Sequence, residues 1–193
     1  MRKVELAAGE WLNSPVAVSG GGASGDLLVT AAENSDFWRT TSYGFVHDTG
    51  HALLNDFADA TAMEVSWMLD YDQQFDQAGL LVWHDDQHWI KAGVEFADGA
   101  PQLGAVVTRE VSDWSVAPVP EWAGREVHLR ISRSTDALTV RARCDGPWQL
   151  VRLAPLDPTL LWRAGLFCAS PSRAGLTVRF TSLRVGEADG SLH

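Results

Sequence analysis

The sequence predicts an all-β sandwich of two antiparallel sheets. Three observations point there. No stretch sustains an apolar stripe at helical spacing. Runs of roughly four to ten residues alternate between apolar and polar positions instead, separated by Gly, Asp and Pro. One segment, Gln77 to Glu95 (QAGLLVWHDDQHWIKAGVE), sets two such runs around a polar turn, the pattern of a β-hairpin.

The strands are expected in this order. Asp26–Thr30 comes first, followed by the polar patch AAENSD. Tyr43–Val46 and Ala52–Leu54 are short extended pieces. In Ala62–Leu69, Met63, Val65 and Trp67 share the core face, and Glu64, Ser66 and Met68 share the other. The hairpin strands span Gln77–His84 and His88–Phe96. Leu103–Arg109, Glu126–Ser132, Ala137–Arg143, Ala164–Ala169 and Leu176–Val185 complete the set. Asp98-Gly99, Asp145-Gly146 and Asp48-Thr49-Gly50 suit turns, because Asp and Gly tolerate the required backbone angles. WSVAPVPEWAG reads as a proline-bearing loop, and Leu156–Leu161 has room for a helical turn. There is no internal repeat and no linker. With 193 residues, the chain is read as a single domain over residues 1–193, long enough to bury a full core.

The hairpin register follows from burial. Placing Asp85, Asp86 and Gln87 in the turn pairs His84 with His88, Trp83 with Trp89, Leu81 with Lys91, Gly79 with Gly93, and Gln77 with Glu95. Equal parity puts Gln77, Trp83, Trp89, Lys91 and Glu95 on one face. Ala78, Leu80, Val82, Ile90, Ala92, Val94 and Phe96 face the core. A slip by one residue would bury Lys91 and Glu95. The facing glycines leave an open floor between larger pairs.

Composition narrows the function classes. The formal charge of −10 favours solubility and repels phosphate backbones. The arginines at 125, 130, 133, 141 and 143 are interrupted by Glu126 and Asp136, so no nucleic-acid partner is expected. Ser19–Gly25 (SGGGASG) is loop-like and lacks the ending of a phosphate loop. MRKVELAAGEWLNS carries no long apolar run, so neither a secretory signal nor a membrane partner is expected. The chain has two cysteines, Cys144 and Cys168, read as buried free thiols rather than a framework. These points, with no Asn-x-Ser/Thr acceptor, lead to a cytoplasmic expectation. No cofactor is expected, and monomer and homodimer both stay open.

The segments DFWRTTSY (Asp36–Tyr43), DQAGLLVWHDDQHWIKAGVEFADG (Asp76–Gly99), VVTREVSDWS (Val106–Ser115), CDGPW (Cys144–Trp148) and GLFCASP (Gly165–Pro171) resemble, in order, those of the DUF1349 family. Its members are often labelled regulation-of-enolase-like proteins. The resemblance covers most of the chain. It implies a concanavalin A-like jelly-roll, one of whose two antiparallel sheets is concave. It implies no defined molecular activity. Arg143-Cys144 stands where the family has tyrosine-serine, a departure without functional weight.

Three functions are then in play. The first is a non-catalytic domain that binds a carbohydrate or another small polar ligand in a concave groove. Its candidate residues are Trp38, Gln77, Trp83, Trp89, Lys91, Glu95, Asp113 and Trp114. Indole rings offer stacking surface, and the amide, ammonium and carboxylate offer hydrogen bonds. In DFWR, Asp36 and Trp38 share a side. SDWS is expected to wrap over one end of the groove. Lys91 and Glu95 have Cα atoms roughly 13 Å apart, so Lys91 should lower the pKa of Glu95 only modestly.

The second is a glycan-processing enzyme using Glu95, with Glu64 as the second carboxylate that glycoside hydrolysis needs. Glucanases of the fold commonly carry Glu-x-Asp-x-x-Glu on one strand. GVEFADG does not match, and Asp98 falls in a turn. The third is a protein-interaction module with a regulatory role in metabolism. No firm metal site is assigned. His84 and His88 beside Asp85 and Asp86 fit a wet turn, and Asp70, Asp72 and Asp76 supply too few oxygens for calcium.

Overall fold

The structure, a computed structural model, describes residues 1–22 and 25–192. The expected loop Ser19–Gly25 thus includes two residues, 23 and 24, outside the described residues. The strands are β1 (Arg2–Val4), β2 (Glu10–Leu12), β3 (Ala17–Gly20), β4 (Leu27–Thr30), β5 (Phe37–Arg39), β6 (Val46–Asp48), β7 (His51–Asp56), β8 (Thr61–Met68) and β9 (Gln77–Asp85). They continue with β10 (His88–Ala97), β11 (Ala100–Arg109), β12 (Val111–Pro118), β13 (Glu126–Ser134), β14 (Ala137–Arg143), β15 (Gln149–Pro155), β16 (Arg163–Ala169) and β17 (Thr177–Glu187). One 3-10 turn covers Pro120–Trp122. No helix among the described residues is long and apolar enough to cross a membrane.

Two large antiparallel sheets form the sandwich. One runs β15-β14-β13-β8-β17-β4-β3, with β1 also paired to β17. The other runs β12-β11-β10-β9-β16-β7-β2. Meanders β9 to β12 and β13 to β15 therefore lie in opposite sheets. Their inward residues make one core, in which Trp67, Leu80, Val94, Leu129, Val140, Leu166 and Phe180 are buried. Period-two alternation causes this division, since every second side chain points inward.

The hairpin β9–β10 has the expected parity. Trp89 pairs with Trp83, Lys91 with Leu81, Gly93 with Gly79 and Glu95 with Gln77. The turn differs by one residue. His88 pairs with Asp85, and the register shifts between His88 and Trp89, so His84 is the bulged residue. Asp85 sets this turn by accepting hydrogen bonds from Gln87 N (2.9 Å) and from the His88 ring (2.8 Å). Asp98-Gly99 joins β10 and β11 with positive φ at both residues (54° and 80°), as a two-residue hairpin loop requires.

Several short or polar elements depart from expectation. SDWSVAP is an edge strand, β12, not a wrapping loop. Its mostly exposed side chains hide the alternation. Pro118 is tolerated there because the strand has a free edge. Tyr43 lies in a turn, and β6 begins only at Val46. Leu156–Leu161 forms a turn capped by Asp157, which accepts from the Thr159 N–H at 2.8 Å, and no helix. β1, β2, β15 and β3, which takes in Ser19 and Gly20 of the expected loop, were not foreseen. They are edge or near-edge strands with little to bury.

Candidate functional site

The outer face of the seven-stranded sheet carries a second, smaller core. Phe37, Trp38, Ala52, Leu54, Leu81, Trp89, Val106 and Phe167 form it, with Leu12 and Trp83 packed against it. It exists because β5 and β6 fold back over that face as a separate two-stranded hairpin. Phe37 is the pin. Its ring lies 5.8 Å from Trp89, 5.9 Å from Trp83 and 6.4 Å from Phe167. Gly50 permits this approach: a Cβ there would fall 2.3 Å from the Phe37 ring. Polar ties hold the flap at its edges. The Arg39 N–H donates to Ser112 Oγ at 2.9 Å, and Asn13 Nδ2 donates to the carbonyls of Asp48 and Gly50.

Beside this covered area the same face opens into a cavity of about 390 Å³. Trp38, Tyr43, Phe45, His47, Phe75 and Trp114 wall it, with Pro171 and Ser172 on the rim. Gln77, Lys91 and Glu95 form its polar floor. A shallow extension runs over Gly93 and Gly104 to Gln102 and Val116. Gly79, Gly93 and Gly104 stand in one cross-strand row. A Cβ at Gly79 would meet the Ala92 carbonyl oxygen at 2.0 Å, and one at Gly93 would meet that of Ala78 at 2.1 Å. Only glycine fits this backbone, and its missing side chains make the depression.

The floor is an ordered network. Lys91 Nζ donates to Asp36 Oδ1 at 2.9 Å and to Gln77 Oε1 at 2.8 Å. Gln77 Nε2 donates to Asp36 Oδ1 at 3.1 Å. Lys91 is only 6% exposed, so it is a buried, paired ammonium rather than a solvated one. Glu95 differs. It is half-buried, and among the described residues it accepts no hydrogen bond and joins no ion pair. Burial pushes its carboxyl up to about 7. Lys91 opposes the shift, while Asp36 and Asp98 add to it. This corrects the expected modest lowering. Loss of water outweighs a lysine already spent on Asp36.

The far rim rests on a buried carboxylate. Asp76 has no exposure, and Arg173 donates to it through Nε (2.9 Å to Oδ2) and through Nη2. Ser170 Oγ adds a third donor at 3.1 Å. The acidic loop containing Asp70, Asp72 and Asp76 is thus tied by Arg173, which fixes Phe75 on one side and Pro171–Ser172 on the other. At the other end, the His88 ring bonds Asp85 at 2.8 Å and the His84 ring bonds the Leu161 carbonyl at 2.8 Å.

The structure brings Trp38, Gln77, Lys91, Glu95 and Trp114 together at the cavity. It separates the others. Trp89 is fully buried beneath Phe37, and Trp83 packs against the same ring. Both share the predicted face, but the flap covers them. Asp113 pairs with Val107 and has the opposite parity to Trp114, so it turns away from the cavity to meet Arg152 at 3.1 Å. Glu64 lies on β8 in the other sheet, outward, 3.8 Å from Arg130. The whole core separates it from Glu95, so it cannot be the second carboxylate of that site.

Asp36, Tyr43, Phe45, His47 and Phe75 were missed as site residues. Asp36 lines the cavity with Trp38, on the side that an extended DFWR predicts for both. The alternation Tyr43-Phe45-His47 was an available signal, since those three side chains line one wall. Phe75 reaches the site from a positive-φ position (68°) that no pattern announces.

Comparison with known proteins matches this geometry to a family. The sequence profile described as "Protein of unknown function (DUF1349)" matches residues 11–188. The chain is 38% identical over 181 residues to "Regulation of enolase protein 1" of Saccharomyces cerevisiae, covering 93% of this chain and 90% of that one. A crystal structure of a functionally unknown protein from Saccharomyces cerevisiae superposes with a TM-score of 0.89 at 36% identity, over 97% of this chain and all (100%) of that one. A xylan beta-1,4-xylosidase from Bacillus halodurans C-125 has a TM-score of 0.69 at 14% identity, over 95% of this chain and 38% of that one. This last likeness is one of fold.

Proposed function

The chain belongs to the DUF1349 family, and from that footing we propose that it is a non-catalytic binding domain. Its ligand is a carbohydrate or another small polar molecule held over the outer face of the seven-stranded sheet. The observation that carries this reading is the aromatic-walled cavity of about 390 Å³ with Gln77, Lys91 and Glu95 at its floor. Small-molecule sites are typically concave, mostly apolar, and supplied with a few convergent polar groups. Here Trp38 and Trp114 offer flat surface, and Glu95 offers a floor carboxyl that has no hydrogen-bond or ion-pair partner among the described residues. The Lys91–Asp36–Gln77 network presets the floor, so little ordering is left to occur on binding.

A panel of glycans and metabolites titrated into the purified protein, read by calorimetry, tests the proposal. A ligand whose affinity falls about ten- to a hundredfold in Trp114→Ala supports it. Binding that Trp114→Ala, Trp38→Ala and Glu95→Gln all leave unchanged refutes it.

A second reading has its own observation. Asp36 and Glu95 line the same cavity in different environments, one paired with a lysine and the other with its carboxyl raised to about 7. A paired carboxylate beside a carboxyl raised by burial supplies the two kinds of group that glycoside hydrolysis uses. Asp36, not Glu64, is then the partner. Steady release of reducing sugar, abolished by both Glu95→Gln and Asp36→Asn, would establish it over the binding reading.

A further inference from the structure

We propose that the cavity recognises a small organic cation, an alkylated or quaternary ammonium group, seated in the aromatic box against Glu95. The inference rests on the binding reading above and names the ligand class for that site.

Three features of the geometry converge. The first is the box. The Trp38 and Tyr43 ring centroids lie 5.6 Å apart with planes at 68°, and Trp38 and Trp114 lie 6.1 Å apart at 85°. The walls therefore stand steeply to one another instead of forming one flat platform. Phe45 backs Tyr43 at 5.4 Å, nearly parallel at 14°. A sugar ring is best served by one broad parallel surface. A compact tetrahedral cation is best served by several faces around it, each within about 6 Å.

The second feature is the unmatched carboxyl. Lys91 is committed to Asp36 and Gln77, and among the described residues no ion pair or hydrogen bond reaches a Glu95 oxygen. The floor holds two carboxyls, Asp36 and Glu95, for one ammonium. A bound cation completes that balance. The third is the chain's charge of −10, which draws cations toward it.

The same geometry couples binding to pH. The groups facing Glu95 are Lys91 on its own strand, Gln77 on β9, Gln102 on β11, Asp98 at the turn, Asp36 from the segment before β5, and His47 across the cavity. An empty site keeps Glu95 protonated up to about neutrality. A cation beside it displaces that proton. Affinity then rises with pH and levels off above neutrality, by roughly thirtyfold between pH 5.5 and 8 for one proton released.

The test uses the full chain and tryptophan fluorescence or calorimetry with four probes: choline, its neutral carbon isostere 3,3-dimethylbutan-1-ol, a peptide bearing trimethyllysine, and a neutral xylo-oligosaccharide. Choline or the trimethyllysine peptide should bind at pH 8 about tenfold or more tightly than the isostere. Binding of the peptide alone would assign the cation to a protein side chain, and binding of choline to a free metabolite. Glu95→Gln should erase the preference, Tyr43→Leu should weaken both cations, and the pH slope should persist in His47→Gln. The cation proposal is overturned if the isostere binds as well as choline, or if Glu95→Gln binds the cation undiminished. Saccharide binding without cation binding overturns it and leaves the binding reading standing. Silence from all four probes overturns it too, leaving the wider panel to judge the binding reading.

Discussion

Glu95 shows how little a residue's type and parity say about its chemistry. Its face was legible from alternation, and its environment was not. The segments that dry it, around Asp36 and Phe75, lie far away in sequence. Burial raises its carboxyl to about 7 from its ordinary value of 4.5. The folded state thus holds the proton more tightly than the unfolded chain. This contribution to stability is fully present below about pH 4.5, falls as pH rises, and is lost above about 7. Glu95→Gln mimics the protonated form. It should melt together with the native protein near pH 4 and above it at pH 8. Discounted for partial solvent contact, the gain is on the order of 1–2 kcal/mol, or roughly 2–8 °C. Thermal melts at the two pH values check this, and equal shifts at both would refute it. Asp76 is the opposite case, a buried carboxylate fully matched by Arg173 and Ser170. Asp76→Ala removes the acceptor of these bonds but leaves an Arg173 that water reaches, so it should cost about 1–3 kcal/mol, measurable by urea denaturation. A loss below about 1 kcal/mol would show that the rim is not anchored there.

At the scale of elements, the hairpin β9–β10 was legible because both of its faces speak. One is nearly pure aliphatic, and the other would bury a lysine and a glutamate if the register slipped. Its turn was misread by one residue because Asp85 can close either a two- or a three-residue turn, and the choice lies in side-chain bonds. The flap β5–β6 was illegible. It is two short strands with no ladder to either sheet, held by Phe37 and by side-chain ties to Ser112 and Asn13. Its presence turned Trp83 and Trp89 from ligand candidates into packing. Phe37→Ala should therefore cost about 3–5 kcal/mol. It should also raise the solvent accessibility of Trp83 and Trp89, seen as a red shift in tryptophan emission before global unfolding. An unchanged emission spectrum would mean that the flap is held without Phe37.

At the scale of the molecule, the two-sheet sandwich and its core followed from repeated alternation. Long central strands such as β8 and β10 turn a uniformly apolar face to the core and announce themselves. Edge strands such as β12 and β15 bury little, and their sequences look like loops. The site stands where three weakly patterned segments meet one strongly patterned hairpin. Gln77, Lys91 and Glu95 were readable from the hairpin, and Trp38 and Trp114 as stacking rings. The rest, Asp36, Tyr43, Phe45 and Phe75, comes from loops whose positions depend on the finished fold. This meeting point is proposed to be a ligand cavity. The most direct measurement is a two-dimensional spectrum of the tryptophan indole N–H groups during ligand titration. The signals of Trp38 and Trp114 should shift and saturate together, while that of Trp67, buried in the main core, stays fixed. A ligand that binds while leaving both Trp38 and Trp114 unmoved would contradict the claim.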